Sequence, residues 1–398
     1  MKKMRIGIVG LGARGIMILK DVLLPMEGYS ITAVCDVYPD RLQQADELIT
    51  AAGEQAPRKF QSYTDMLQSG MLDAVYIATS WQTHSKIAIA AMKAGIAVAC
   101  EVGGAFTEQE CWDMVRTYEQ TKTPFMPMEN CCYGRMELML CEMKKAGVFG
   151  DIVHCDGQYG HDLREEIVFG KEHRHYRLDH YLHRNCENYP THELAPIGML
   201  LDLGQGNRMV SLVSTASRAA GLSFYVKEHK EDDDRLRNAT FSQGDIVTTT
   251  IKCYNGETIT LTLDTTLPRY YSRGLSVHGT KALYCEENGS LFLDGTHNQW
   301  DNSWKEQWGN MENYYNAYEH PIWRKFLAEG IKGGHDGMDW LIFEAFLEAW
   351  RNNAPMPFNV YDVASWMMVS LLSERSILSG SQPQLFPDFT NGAWMTKS

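Results

Sequence analysis

The chain of 398 residues contains no C-x-x-C pair, no excess of positive charge, and no apolar run approaching the roughly 20 residues that a membrane-crossing helix needs. Each absence removes a class of function. Lys and Arg number 37 against 50 Asp and Glu, and the formal charge of −13 argues against nucleic acid or an anionic membrane surface as partner. The ten cysteines (Cys35, Cys100, Cys111, Cys131, Cys132, Cys141, Cys155, Cys186, Cys253 and Cys285) read as reduced core thiols of a cytoplasmic protein, since several fall in apolar runs. Met1-Lys2-Lys3-Met4-Arg5 leads directly into a strand and a Gly-rich turn, without the apolar region or cleavage site of a secretory signal. Apolar content of 44 % with 22 % charged residues is that of a soluble globular protein, and the length implies about two domains.

What is present begins with Arg5-Ile6-Gly7-Ile8-Val9-Gly10, a short buried strand, followed by Gly10-Leu11-Gly12-Ala13-Arg14-Gly15 and a helical run over Ile16 to Leu24. These glycines permit a tight turn, the approach of a pyrophosphate to the backbone, and close helix packing. A second strand, Ile31 to Cys35, ends at Asp36, about twenty residues on, where a carboxylate accepts hydrogen bonds from an adenosine ribose. Asp36 would repel a 2′-phosphate, so the pattern favours NAD over NADP. Strand and helix then alternate: Arg41 to Ala52, Ala74 to Ala78, Gln82 to Ala94, Ala97 to Cys100, a helix opened by the capping box Thr107-Glu108-Gln109-Glu110, and Pro124 to Met128. Ligands of such parallel sheets sit at the carboxyl ends of the strands, which marks Thr79 to His84, Glu101-Val102 and Glu129-Asn130 as cofactor-lining loops. His84 is open to two readings, a helix cap or a cofactor contact.

From about Glu129 the pattern changes. Arg135 to Ala146 is helical, Asp151 to Tyr159 is a strand, and two hairpins turn at Asn255-Gly256 and Asn288-Gly289. The expected fold is α/β: a doubly wound parallel Rossmann sheet over residues 1–128, then an α+β domain over 129–398 with an open, mainly antiparallel sheet. The amphipathic helices Gly337 to Trp350 and Tyr361 to Leu378 pack back on the first domain. Lys227 to Arg237, with Asp232-Asp233-Asp234, reads as a solvated loop. Trp300, Trp304 and Trp308 recur at helical spacing amid polar residues, as a sugar-stacking wall or an interface stripe, with packing preferred. The segment His161 to Asn188 is dense in His, Arg and Tyr. His173, His175, His180 and His183 lack acidic or cysteine ligands at metal spacing, so no metal is expected and a substrate-facing loop is preferred, with Arg177 available to hold an oxygen. In Asn188-Tyr189-Pro190-Thr191-His192 a proline stiffens the backbone between two side chains that can transfer protons. A Tyr and a His at that spacing are also ordinary structural residues.

The chain resembles the glucose-fructose oxidoreductase, inositol dehydrogenase and rhizopine-catabolism (Gfo/Idh/MocA) superfamily, but has Glu101-Val102-Gly103 where its dehydrogenases carry Glu-Lys-Pro. Tyr189-Pro190-Thr191-His192, with Glu129-Asn130-Cys131-Cys132-Tyr133-Gly134-Arg135 and Tyr271-Ser272-Arg273, is similar to one branch, the NAD-dependent glycosidases typified by α-N-acetylgalactosaminidase (glycoside hydrolase family 109). The resemblance spans nearly the whole chain. It implies that Arg14, Gly15, Asp36, Trp81, His84, Glu101, Val102 and Asn130, with Gly10, Gly12, Ala13 and Thr79 of the cofactor loops, line NAD. It implies that Tyr159, Arg177, Tyr189, Pro190, Thr191, His192 and Tyr271 line a sugar, with Tyr189 and His192 as the catalytic pair. In this superfamily the open sheet can meet a neighbouring subunit, which implies a homo-oligomer. Two departures stand out: Gly103-Gly104 for Pro-Ala, and Glu193 for the glycine usual after the histidine.

The chemistry accounts for such a pair. A sugar C2–H is not acidic until C3 is a ketone; oxidation at C3 then permits C2 deprotonation, departure of the glycosidic oxygen, addition of water and re-reduction. Tyr189 and His192 would serve C3–OH and C2–H, their roles undivided, and Arg177 or Tyr271 would polarise the oxygen. Tyr271 could instead be sheet-edge packing. Two other classes compete: a sugar or cyclitol dehydrogenase, which would release stoichiometric NADH, and a noncatalytic dinucleotide-binding protein.

Overall fold

The computed structural model describes residues 3–103 and 106–396. The chain divides into two compact units, one running to Gly134 and including Lys325–Met367, the other comprising Arg135–Arg324 and the chain from Met368 onward.

The first unit is built on six parallel strands, β1 (Met4–Val9), β2 (Tyr29–Cys35), β3 (Arg58–Phe60), β4 (Ala74–Ile77), β5 (Ala97–Cys100) and β6 (Phe125–Pro127), in the order β3-β2-β1-β4-β5-β6. Every residue of β4, β5 and β6 is buried, as strands covered by helices on both faces must be. The order reverses between β1 and β4, and that switch point is where such sheets open a crevice for ligand. Gly10, at φ +94°, makes the turn out of β1; a Cβ there would lie 2.5 Å from the Ala78 carbonyl oxygen. The following helix begins at Ala13, earlier than the apolar run predicts, and passes into a wider π turn over Leu19–Leu23, with Leu24 N donating to Leu19 O. The capping box at Thr107 forms as expected: Glu110 N donates to Thr107 Oγ1 and Thr107 N to Glu110 Oε2. The helix Met338–Arg351 belongs to this unit. It sets Phe343 edge-on to Tyr29 and Tyr76, and Tyr29 OH donates to the Phe343 carbonyl.

The second unit carries eight strands, β7 (Ile152–Gly160), β8 (Met209–Ala216), β9 (Ile246–Cys253), β10 (Thr258–Asp264), β11 (Ser276–Gly279), β12 (Ala282–Cys285), β13 (Ser290–Leu293) and β14 (Gln384–Leu385), ordered β13-β12-β11-β7-β10-β9-β8-β14. All pairs are antiparallel except β7 with β10, a central parallel pair that leaves the sheet mixed but mainly antiparallel. The hairpin at Asn255-Gly256 closes with Gly256 at φ +108°. On β9 and β10 the alternation is strict: Val247, Ile251, Ile259, Leu261 and Leu263 are buried, while Thr248, Thr250 and Lys252 face outward. The helix Thr191–Leu200 lies against β7, where Gly157 makes room for it; a Cβ at 157 would meet the Glu193 Cβ at 2.8 Å.

Two expectations are corrected. Lys227 to Arg237 is solvated but a loop only over Lys230 to Asp233: Gly221–His229 is helical because Leu222 and Val226 are buried, and Asp233 caps the turn Asp234–Arg237 by accepting from Leu236 N. The three tryptophans share no helical stripe. Trp304 packs on Phe292 and His297, whereas Trp300 and Trp308 are 80 % and 60 % exposed.

Candidate active site

In the first unit the turn after β1 and the loops after β2, β4 and β5 bring the predicted cofactor residues together. Leu11 N donates to Asp36 Oδ2 at 2.8 Å, fixing the carboxylate at the end of β2, and Tyr38 N donates to its other oxygen. A Cβ at Gly15 would collide with the Gly10 carbonyl, so that glycine is required for helix packing; at Gly12 nothing comes nearer than the Arg41 guanidinium at 3.7 Å. The turn is therefore closed on its protein side and open at Gly12, a cradle that fits a diphosphate.

Thr79 accepts from Thr83 Oγ1 at 2.7 Å, and Trp81 is buried at the start of its helix. His84 is buried and bridges two of the loops, Nδ1 to the Gly103 carbonyl and Nε2 to that of Thr79 at 3.0 Å; burial lowers its pKa, with the two carbonyls opposing. Its work is to tie the loops after β4 and β5 to each other. Gly103 has φ +77°, and a Cβ there would press on the Trp81 indole at 2.5 Å. Proline cannot adopt that φ, so the departure from Glu-Lys-Pro gives this loop a conformation that glycine alone takes readily. Gly104 lies outside the described residues.

Glu101 accepts from Tyr76 OH at 2.7 Å and Arg14 Nε at 2.8 Å, beside the buried Val102. Arg14 also forms two 2.8 Å bonds to Asp339, whose Oδ1 takes a further bond from Asn130 Nδ2 at 2.8 Å and whose Oδ2 meets His335 Nδ1 at 2.7 Å. Burial alone would raise the Asp339 pKa, but the bonds from His335 and Arg14 override it and hold the carboxyl well below the usual carboxylate range. Asp339 and His335 escaped the sequence reading, which took Gly337 to Trp350 as a fold-completing helix; the signal was the glycine-rich turn Gly333-Gly334-His335-Asp336-Gly337 at its start. Asp339→Ala leaves Arg14 and Asn130 without their shared acceptor and is expected to cost about 3–5 kcal/mol of stability, measured by urea unfolding. A loss under ~1 kcal/mol would refute the hub role.

In the second unit Pro190 precedes the helix Thr191–Leu200 and presents Tyr189 and His192 on one side, Tyr189 Oη 3.3 Å from His192 Nε2. Tyr159, from the end of β7, stacks on Tyr189 at 4.3 Å between centroids and meets the His192 ring edge-on at 5.7 Å. The Arg177 guanidinium lies 5.1 Å from the Tyr189 ring centre, its Nε paired with Glu166 at 2.7 Å. Tyr159, Tyr189, Pro190, Thr191 and Arg177 are all buried. Burial pushes the Tyr159 phenol up, with Arg177 and His192 opposing. Tyr271 stands half exposed across His161, whose ring meets both Tyr271 and Tyr159. Its neighbours are anchored: Tyr270 OH and Ser272 Oγ both donate to Glu287, which also accepts from Gln158. His161 and Glu166 are site residues that the sequence reading did not single out. The four histidines of the polar segment do not converge: His173 stacks on Phe169, His175 and His180 flank Tyr176, and His183 bonds the Asp179 carbonyl.

Together the two units, a glycine-turn Rossmann sheet and an α+β unit with a large open sheet, define an NAD-binding protein of the Gfo/Idh/MocA class. Residues 4–128 match the oxidoreductase family with NAD-binding Rossmann fold, and residues 133–396 match the glycosyl hydrolase 109 C-terminal domain. The chain belongs to glycosyl hydrolase family 109 and is an NAD-dependent glycosidase. A family 109 protein of Stenotrophomonas maltophilia is 38 % identical, over 99 % of this chain and 90 % of its own. An α-N-acetylgalactosaminidase of Tannerella forsythia is 33 % identical, over 98 % and 87 %. In fold the chain resembles scyllo-inositol dehydrogenase of Lactobacillus casei solved with NAD(H) and scyllo-inositol, at a TM-score of 0.66 and 15 % identity, over 96 % of this chain and 99 % of that one. Among the described residues no helix is long and apolar enough to cross a membrane.

Proposed function

We propose that the protein cleaves α-N-acetylgalactosaminides or a closely related glycoside, by transient oxidation at C3, with Tyr189 and His192 as the proton-transferring pair. The observation that carries this reading is the pair itself, a phenol oxygen 3.3 Å from an imidazole nitrogen, with Tyr159 and Arg177 packed against the phenol ring. Bound NAD supplies one thing, a site that takes the C3 hydride and gives it back. Gly10, Gly12, Ala13, Arg14, Gly15, Asp36, Thr79, Trp81, His84, Glu101, Val102 and Asn130 are the residues to hold it.

The remaining steps fall to the side chains. One member of the pair takes the proton from C3–OH as the hydride leaves, and the ketone so formed acidifies C2–H. The other removes that proton, the C1–O bond breaks, and the departing oxygen takes up a proton as the alcohol. Water then adds to the enone, oxygen to C1 and hydrogen to C2, and the returned hydride restores the C3 alcohol. The sum is hydrolysis. Arg177, paired with Glu166, or Tyr271 would polarise the sugar oxygen. The sugar identity rests on the Tannerella forsythia relative.

Hydrolysis in deuterated water is expected to place deuterium at C2 of the released sugar, without net NADH. Protium alone at C2 would sink the elimination route in favour of direct displacement at C1. A panel of aryl α- and β-glycosides scored for aglycone and NADH tests the alternative in the same experiment, since a sugar or cyclitol dehydrogenase yields stoichiometric NADH from a free polyol; the position of the missing lysine, Val102, is apolar and buried. The reading of the cysteines as core side chains is supported by burial of nine of the ten. The outward Thr-rich face of β9 and β10 is the surface for self-association.

A further inference from the structure

We infer that His335 is a cofactor-binding side chain that hydrogen-bonds an oxygen of the bound dinucleotide on the Glu101 side of the glycine turn. The inference needs only the dinucleotide and stands whether or not the glycoside chemistry is right.

His335 belongs to the group centred on Asp339, but it differs from the other members in exposure. The Asp339 side chain is fully buried, and those of Glu101 and Arg14 are 10 % and 26 % exposed, against 50 % for His335. Its Nδ1 is committed to Asp339 at 2.7 Å and lies 3.4 Å from Arg14 Nη1. Holding one edge of an imidazole fixes the direction of the other, so Nε2 is aimed away from the carboxylate as a donor or acceptor of defined orientation.

The position is also bracketed by named cofactor residues. Arg14 leaves the glycine turn and spans to both Glu101 and Asp339, so His335 sits on the β5 side of that turn, away from Asp36 on β2. The charge there calls for it. One guanidinium faces two carboxylates, a net negative balance beside a place where a diphosphate must bind, and the half-exposed imidazole adds a donor that can meet an anionic oxygen there. His335 and Asp336 have φ of +49° and +53°, consecutive left-handed residues that are not glycine.

The test uses the full-length protein freed of nucleotide, titrated calorimetrically with NAD, ADP-ribose and AMP. His335→Ala and the sterically milder His335→Gln are each expected to weaken NAD and ADP-ribose about tenfold and to leave AMP within about twofold, a hydrogen bond to a charged group being the interaction lost. Asp336→Gly, which relaxes the strained backbone and keeps the imidazole, should retain NAD affinity. NAD binding within about twofold of wild type in a folded His335 variant overturns the proposal, as does an equal loss for AMP, which would move the effect to the adenosine half.

Discussion

His192→Ala and Tyr189→Phe are each expected to lower kcat for an aryl glycoside by about 10²–10⁴-fold, the range for removing one positioned proton-transfer group, with KM changed far less. The two losses become distinguishable on a substrate already oxidised at C3. A 3-keto glycoside bypasses the first oxidation, so the residue that deprotonates C3–OH is no longer needed for aglycone release. The variant lacking that residue recovers most of its rate on the ketone, and the variant lacking the C2 base does not. Recovery in both, or a loss under about tenfold in either, would remove the pair from the chemistry and leave it as packing around Tyr159. Stability measured alongside guards against a trivial loss, because Tyr189 is buried and stacked on Tyr159.

The fold of the first unit was legible because its signals are local. The alternation of apolar runs with capped helices, the glycine turn and Asp36 all lie within short windows, and a strand buried on both faces reads as a continuous apolar run. The second unit was legible in its first helix, its first strand and its hairpins, but not in how its strands are ordered. The parallel pair β7 with β10 joins residues 104 apart, as His154 and Thr258 are, and nothing in either strand alone names the other as partner.

The same limit governs the site. Tyr189 and His192 are three residues apart and read as a unit, whereas Asp339 is 325 residues from the Arg14 it holds. His161 and Glu166 escaped because the polar segment offers many candidates and only the fold selects those that meet Tyr159, Tyr271 and Arg177. Glu193 shows the opposite case. It stood out in the sequence, and its Cβ packs against Gly157 of β7, so the departure changes the contact between helix and sheet.

Glu187→Gln is expected to stabilise the protein increasingly as pH rises from about 5 to 8, by an amount on the order of a few kcal/mol at the upper end. Glu187 is fully buried two residues before Tyr189, with its backbone N–H donated to Ser373 Oγ. Neither carboxyl oxygen has a well-formed hydrogen bond among the described residues, and burial pushes the pKa up to about 8, the Tyr189 backbone N–H offsetting this only in part. Below the ordinary value near 4.5 the acid is protonated in both folded and unfolded chains and costs nothing. Between that value and 8 the unfolded chain releases the proton and the folded chain keeps it, so wild-type stability falls as pH rises. Above 8 both states are ionised and the loss is complete. Glutamine cannot ionise, and its amide fills the same volume, so the variant lacks this slope. Urea unfolding of both proteins at pH 5 and pH 8.5 reads the effect as a difference of differences, which cancels the titration of groups that do not interact with Glu187. A gap between the two proteins that does not change with pH would mean that the Glu187 carboxyl ionises normally in the fold, and the segment bearing Tyr189 would then rest on a charged group rather than a neutral one.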